Sequence, residues 1–217
     1  MAGGPEGKGR TGALPNKIHR AYYYAPEAKA SRSNYVYFHG ICGRAENGCA
    51  VFAGASPSSW LLCPRAPVAC GGGDSWSDAQ TARGVVFRAQ EELKRSEPTF
   101  DPEEHRAGAI AFSQGGYVLQ DLVRRNLGNF DRALVIGADV RWTATELRRA
   151  GVKRAAIGAG KYDGTYVSLQ KTAKALEAEG YPIRFVDLGK VGHTYVAEAG
   201  NDEVESAIRW LDEASSS

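Results

Sequence analysis

The chain has 217 residues, 43% of them hydrophobic, with 27 basic and 25 acidic residues and a net charge of +2. Its charges are mixed along the chain, which excludes the basic stripe of a nucleic-acid-binding protein. No apolar run approaches the roughly 18 residues of a membrane span. We therefore expect a single globular domain with a substantial core.

The two ends of the chain differ in composition from the middle. Residues 1–16 are rich in glycine and proline and predict a flexible lead-in, and residues 214–217 predict a short flexible tail. The first residues lack the apolar stretch of a signal peptide. The predicted domain accordingly spans residues 17–213.

Apolar runs alternate with amphipathic segments along this domain. The predicted strands are 20–24, 35–39, 60–63, 107–112, 133–137, 154–157 and 183–188. Helical patterns cover 79–93, the segment after Ser113, 165–179 and 201–211. Several strands are almost continuously apolar, as in parallel strands buried on both faces. The alternation predicts an α/β fold with a mostly parallel sheet, helices on both faces and no large lid.

Four cysteines lie close together, at Cys42, Cys49, Cys63 and Cys70. The spacings from Cys42 to Cys49 and from Cys63 to Cys70 are longer than those of usual zinc-ligand pairs, so we expect no metal. The simplest of three pairings joins Cys42 to Cys49 and Cys63 to Cys70, each closing a loop worth about 2.5 kcal/mol. Disulfides predict a secreted or periplasmic protein, whereas four reduced thiols would predict a cytoplasmic one.

One serine has the setting of a nucleophile. An apolar strand ends at Ser113, small residues (Ala111 and Gly115) stand two positions before and after it, and a helical segment follows. This pattern is typical of a nucleophile elbow, a sharp strand-to-helix turn that exposes a reactive serine. The alternative is an ordinary serine at a helix N-cap. As a nucleophile, Ser113 would form a covalent acyl intermediate.

A base and an acid are sought after later strands, because sites in parallel sheets lie beyond the carboxyl ends of the strands. His193 follows the last strand in a loop flanked by glycine, whereas His39 lies upstream of the serine. Asp163 and Asp139 both follow strands between Ser113 and His193. Either could serve as a turn residue instead. We prefer Asp163, since it follows the strand immediately before that of His193.

An oxyanion hole needs two backbone N–H groups directed at the developing negative charge. Gln114, the residue after the serine, would supply one. The strand that ends in His39-Gly40 would supply the other from Ile41, because Gly40 permits a tight turn there. The alternative is a plain turn without a catalytic role.

Together these motifs resemble the α/β-hydrolase fold, and most of all its phospholipase/carboxylesterase branch, which includes the acyl-protein thioesterases. The resemblance covers roughly residues 33–212. The motifs occur in the order typical of that branch. They are His39-Gly40, Phe112-Ser113-Gln114-Gly115-Gly116, Asp163 and Gly192-His193.

The resemblance implies that Ser113 is the nucleophile, His193 the general base and Asp163 its orienting acid, with Ile41 and Gln114 as oxyanion donors. It also implies that neither metal nor cofactor is needed. The segment 63–67 and Trp76 resemble a proline-rich loop near the acyl pocket, so Trp76 and, more weakly, Tyr166 are expected to contact substrate. The chain departs from the branch at Ala111, which replaces a glycine, and in its four cysteines.

The function that these residues predict is a carboxylesterase, active as a monomer or homodimer on short-chain or soluble esters. Two alternatives stay open. One is a thioesterase or peptidase that uses the same three residues. The other is an inactive binding protein that keeps the fold.

Overall fold

The structure is a computed structural model that describes residues 16–26, 33–55, 57–102 and 107–213. The predicted tail and all of the predicted lead-in except Asn16 lie outside these residues. Asn16 itself begins the first strand. The strands are β1 (Asn16–Ile18), β2 (Ala21–Tyr24), β3 (Asn34–Phe38), β4 (Trp60–Pro64), β5 (Val68–Cys70), β6 (Gly73–Ser75), β7 (Ala107–Phe112), β8 (Phe130–Ile136), β9 (Arg154–Ala159) and β10 (Ile183–Asp187). The helices are α1 (Ala45–Ala55), α2 (Ala79–Ser96), α3 (Gln114–Arg124), α4 (Ala144–Arg149), α5 (Tyr166–Ala178) and α6 (Asp202–Asp212).

Eight strands form one sheet in the order β1-β2-β4-β3-β7-β8-β9-β10, and β5 pairs with β6 in a separate hairpin. In the eight-stranded sheet, the six neighbouring strands β4, β3, β7, β8, β9 and β10 run parallel to one another. Strands β1 and β2 are antiparallel to their neighbours. All seven predicted strands are present. The sequence did not predict β1 or the hairpin. The predicted fold class, a mostly parallel α/β sheet, is confirmed.

Helices cover both faces of the sheet, because successive side chains of each buried strand point to opposite sides. In β8, for example, Ala133 and Val135 pack with α2, α3, α4 and α5, while Leu134 and Ile136 pack with α1 and α6. The longest connection between described elements runs from residue 188 to residue 201. No large lid is therefore present in the described part of the chain.

Two helices were not predicted, α1 and α4. Helix α1 contains Gly48 and Gly54, which are poor helix formers, so its sequence carries a weak helical signal. Its packing requires one of them: a Cβ on Gly48 would lie 2.3 Å from the Tyr37 ring. Helix α1 can therefore approach β3 closely only because residue 48 has no side chain. Helix α4 is a short segment that begins with a capping box at Thr143 and Glu146.

The two disulfides correct the predicted pairing. Cys42 is bonded to Cys70 and Cys49 to Cys63, so the pairs are nested rather than sequential, and the predicted pairs Cys42–Cys49 and Cys63–Cys70 are wrong. The reason is that Cys49 lies on α1, which packs on β4, the strand that carries Cys63. Cys42 and Cys70 instead belong to a loop and to the hairpin β5–β6.

A buried arginine lies toward the amino end of β8. The guanidinium of Arg132 is 1% exposed and donates to Asp131 at 2.6 Å and to the Tyr35 hydroxyl at 3.1 Å. It also lies 3.2 Å from the carboxylate of Asp212, the last residue of α6. A buried charge of this kind is tolerated only when it is fully paired. The pairing ties α6 to the central strands.

In the part of the chain described by the structure, no helix is both long and apolar enough to span a bilayer.

Candidate active site

Ser113 occupies the turn between β7 and α3 with an unusual backbone. Its φ and ψ are 53° and −119°, a conformation that side chains rarely adopt and that costs roughly 1–3 kcal/mol. The turn is close to its surroundings, because a Cβ on Gly115 would lie 2.1 Å from the Phe38 carbonyl oxygen. Ser113 stands at the N-cap of α3 but makes no side-chain capping bond. Its hydroxyl is thus available for another partner.

That partner is His193. The Nε2 atom of His193 lies 2.9 Å from Ser113 Oγ, and its Nδ1 atom lies 2.7 Å from Oδ2 of Asp163. The side chain of His193 is half exposed, whereas that of Asp163 is only 3% exposed. The three side chains thus form a continuous hydrogen-bonded line from a buried carboxylate to an accessible hydroxyl.

The ionisation of Asp163 determines which atom donates and which accepts in these two hydrogen bonds. Burial alone would raise the pKa of Asp163, but the N–H and hydroxyl of Thr165, at 2.8 and 2.9 Å, and the His193 ring together lower it. The carboxyl is therefore ionised and accepts a hydrogen bond from Nδ1–H of His193. Nε2 of a neutral His193 ring then carries the lone pair and accepts the hydrogen bond of the Ser113 hydroxyl.

Both partner residues reach the serine because β9 and β10 are parallel neighbours that end at the same edge. The loops after these strands are bonded to each other: the N–H of Lys161 donates to the carbonyl of Gly189, and that of Tyr162 to Val191. Phe112 packs against the His193 ring with a centroid distance of 4.9 Å. These contacts hold the imidazole over the serine.

Asp139, the other candidate acid, makes different contacts. Its carboxylate lies 3.1 Å from Arg141, and its backbone N–H donates to the Tyr117 hydroxyl. In the same segment, a Cβ on Gly137 would lie 3.1 Å from the imidazole of His193. Of the two aspartates, Asp163 is the one bonded to His193.

The loop after β3 lies directly against Ser113. A Cβ on Gly40 would be 3.2 Å from the Ser113 Cβ, and the Gly40 carbonyl accepts the N–H of Gly43 in a tight turn. Within the described ranges, neither the Ile41 N–H nor the Gln114 N–H has a hydrogen-bond partner. The unpaired Gln114 N–H thus begins α3 directly after the serine, and the unpaired Ile41 N–H directly follows Gly40, which lies against the serine.

His39 has a structural role that the sequence analysis missed. It is 1% exposed; its Nδ1 bonds the Gly40 carbonyl at 2.8 Å and its Nε2 accepts the Ala66 N–H at 3.2 Å. Burial lowers the pKa of His39, so the ring is neutral and carries its proton on Nδ1. The ring fixes the turn at Gly40. The only sequence signal was its position before Gly40 at a strand end.

The two expected substrate contacts are placed differently. Trp76 is 4% exposed, packs on Phe38 and His39, and donates from Nε1 to the His39 carbonyl at 3.1 Å. Its ring thus lies behind the loop rather than in an open pocket. The Tyr166 hydroxyl bonds Asp187 at 3.0 Å and its ring packs edge-on to Phe185. In the described part of the chain, no recorded contact joins Tyr166 to Ser113.

Known proteins share this architecture. No family model and no curated protein matches the sequence. The structure is similar to an esterase described as PE8, with 20% identity over 87% of this chain and 97% of that one and a TM-score of 0.64. It is also similar to a Bacillus cereus carboxylesterase, with 17% identity, 92% and 96% coverage and a TM-score of 0.64. A Zea mays acyl-protein thioesterase 2 has 18% identity, 89% and 99% coverage and a TM-score of 0.62.

These matches span nearly the whole length of each known chain. At such identities they identify the fold, and the fold is that of the α/β-hydrolases.

Proposed function

We propose that the protein is a serine hydrolase that cleaves carboxylic esters through an acyl-enzyme on Ser113. The observation that carries the proposal is the hydrogen-bonded line Asp163–His193–Ser113, with atom separations of 2.7 and 2.9 Å. The strained backbone of Ser113 supports it, because such strain is typical of functional sites. The esterases, carboxylesterases and thioesterase among the similar structures agree with this reading.

In acylation, Ser113 Oγ attacks the ester carbonyl carbon while Nε2 of His193 takes the hydroxyl proton. Asp163 keeps the imidazole in the required tautomer and stabilises the imidazolium. His193 then gives its proton to the leaving alcohol, and an acyl group remains on Ser113. A water molecule attacks this acyl group in the same way, with His193 again as base, and releases the acid.

The negative charge that develops on the carbonyl oxygen needs fixed donors. We assign this role to the Ile41 and Gln114 N–H groups, which directly follow Gly40 and Ser113 and lack partners in the described part of the chain. Loss of one such donor from a hydrolase costs about 100- to 1,000-fold in kcat. The donors act without reorganisation because each belongs to a tightly packed turn.

The site favours short or soluble esters. No large lid covers the described carboxyl edge of the sheet, and Ile41, which follows Gly40 in the loop after β3, is 62% exposed. An open apolar rim suits small acyl groups better than long chains that need an enclosed tunnel.

Labelling with a fluorophosphonate probe, which reacts with activated serines, tests the proposal. We expect the protein to be labelled and Ser113→Ala not to be. A matched control is Ser168→Ala, whose hydroxyl bonds the Thr165 carbonyl on α5. Absence of labelling, or equal labelling of Ser113→Ala, would overturn the proposal.

A panel of nitrophenyl esters, thioesters and peptide amides then defines the substrate. We expect the highest kcat/KM for short esters. A preference for thioesters would favour the thioesterase alternative, and binding without turnover would favour the inactive relative.

We also infer that residues 17–213 act as one domain and that the protein works in an oxidising compartment. Two disulfides support the location. Titration of free thiols in the denatured, unreduced protein tests it: we expect none, and four would contradict the inference.

A further inference from the structure

The hairpin β5–β6 contacts the loop that carries the first proposed oxyanion donor. Cys70, the last residue of β5, is bonded to Cys42, which directly follows Ile41. The Cys42 N–H donates to Ser75 Oγ at 3.1 Å, and the Asp74 N–H donates to the Gly43 carbonyl at 3.0 Å. One covalent bond and two hydrogen bonds therefore join the hairpin to the residues just after Ile41.

The residue that follows the hairpin is hydrogen-bonded to Gln114, which carries the second proposed donor. Trp76 follows β6, and the Gln114 side chain binds both polar groups of its backbone. Gln114 Oε1 accepts the Trp76 N–H at 3.0 Å, and Nε2 donates to the Trp76 carbonyl at 3.1 Å. Gln114, whose N–H is a proposed donor, is thus bound through its side chain to Trp76 at the end of the hairpin.

The hairpin is itself held firmly. Asp74 is paired with Arg65 at 2.9 Å, and a Cβ on Gly73 would lie 2.3 Å from the Cys42 carbonyl oxygen. Cys42 has a φ of +50°, which only glycine adopts without strain. These contacts hold the backbone at Cys42 in a conformation it would otherwise leave.

We propose that the hairpin β5–β6 sets the spacing of the two oxyanion donors, through the Cys42–Cys70 disulfide on the Ile41 side and the Gln114 side-chain amide on the other. Cys42, Cys70 and the Gln114 side chain are thus positioning residues. The inference rests on the proposed function, and it explains why a disulfide with an exposed cysteine directly follows Ile41. Two donors must converge on one oxygen atom, and a misplacement of about 1 Å can cost 100-fold in rate.

The second disulfide provides an internal control. Cys49 and Cys63 are completely buried between α1 and β4, whereas Cys42 is exposed and Cys70 partly exposed. A dithiol in solution therefore reaches Cys42–Cys70 first. In that reaction the Cys42–Cys70 bond breaks, the dithiol is oxidised to its cyclic disulfide, and its two protons end on the two cysteine thiols.

Selective reduction of the folded wild-type protein is the first test. Mild dithiothreitol followed by alkylation, with mass mapping, gives protein modified only at Cys42 and Cys70. We expect kcat for nitrophenyl acetate to fall about tenfold or more, with KM nearly unchanged. An alkylboronic acid, which forms a tetrahedral adduct with the serine, should bind more weakly by a similar factor. Reoxidation of unalkylated protein should restore kcat.

Variants supply the second test. Gln114→Ala removes both bonds to Trp76 but keeps the Gln114 N–H, and Gln114→Glu keeps an acceptor but loses the donor. We expect kcat to fall in both, more in the first. Gln120→Ala is the matched control, because Gln120 lies on the same helix and binds the backbone of Arg141 instead. It should leave kcat unchanged. Thermal unfolding of each variant identifies any that fail to fold.

The outcomes are distinct. Loss of kcat and of boronate affinity at constant KM supports the inference. An unchanged kcat after modification of Cys42 and Cys70 overturns it and leaves the proposed function intact. If the oxidised wild type neither labels at Ser113 nor turns over ester, the proposed function fails and this inference fails with it.

Discussion

The two halves of the candidate site are held together by different kinds of bond. On the donor side, after β3, Cys42, the residue next to Ile41, is joined to the hairpin by a disulfide, and the buried ring of His39 binds the Gly40 carbonyl. On the base side, after β9 and β10, Asp163 and His193 are held by hydrogen bonds and by packing on Phe112, and His193 is half exposed. The proposed chemistry explains the contrast. Fixed donors work best when they cannot move, whereas the base takes up and releases a proton twice in each turnover.

The largest expected loss of kcat comes from a substitution on the base side. We expect Asp163→Asn to lower kcat about 10,000-fold, because an amide holds the wrong imidazole tautomer. Asp139→Asn is the matched control, since Asp139 also follows a strand but pairs with Arg141, and it should cost little. Steady-state kinetics on nitrophenyl acetate measures both. The reverse ranking would show that the acid is Asp139.

A smaller effect is expected on the donor side. Gly40→Ala places a methyl group 3.1 Å from Phe112 and 3.2 Å from Ser113, so the turn has to shift by a few tenths of an ångström. We expect kcat to fall about tenfold at nearly constant KM, as for a displaced oxyanion donor. Gly192→Ala in the base-side loop meets nothing within 4 Å and should be nearly neutral. Equal effects of the two substitutions would remove the distinction between the halves.

The smallest effect concerns His39, the buried histidine that follows β3. The folded protein lowers the pKa of His39 from 6.5 by burying it, so the unfolded chain binds protons more readily. Stability from this residue is therefore fully present above pH 6.5 and declines as the pH falls through the folded value. We expect His39→Gln to flatten the decline in urea unfolding between pH 7.5 and 5. A parallel decline in both proteins would contradict this assignment.

The sequence predicted the sheet better than the contacts between its loops. The seven predicted strands appear because most of them are apolar runs buried on both faces, which leaves a strong local signal. Ser113, Asp163 and His193 were found together because each follows a strand, and parallel strands end at one edge. Position alone thus sufficed to select the residues that the structure brings into contact.

The disulfide pairing and the role of His39 could not be found in this way. The pairing depends on how α1 packs across β4, and α1 carries Gly48, which its close approach to Tyr37 requires. The role of His39 depends on Ala66, which reaches it only after two loops have packed together. No periodic pattern in the sequence indicates either contact.

The buried arginine of β8 has a consequence for how the protein is made. Arg132 is synthesised long before Asp212, whose carboxylate lies 3.2 Å from it and also accepts the Tyr35 hydroxyl at 2.7 Å. Until α6 has left the ribosome, this end of the sheet would enclose a guanidinium that lacks one of its two anions. We therefore expect the central strands to complete their folding only after translation of the last helix, and a chain interrupted before Asp212 to remain a substrate for chaperones and proteases.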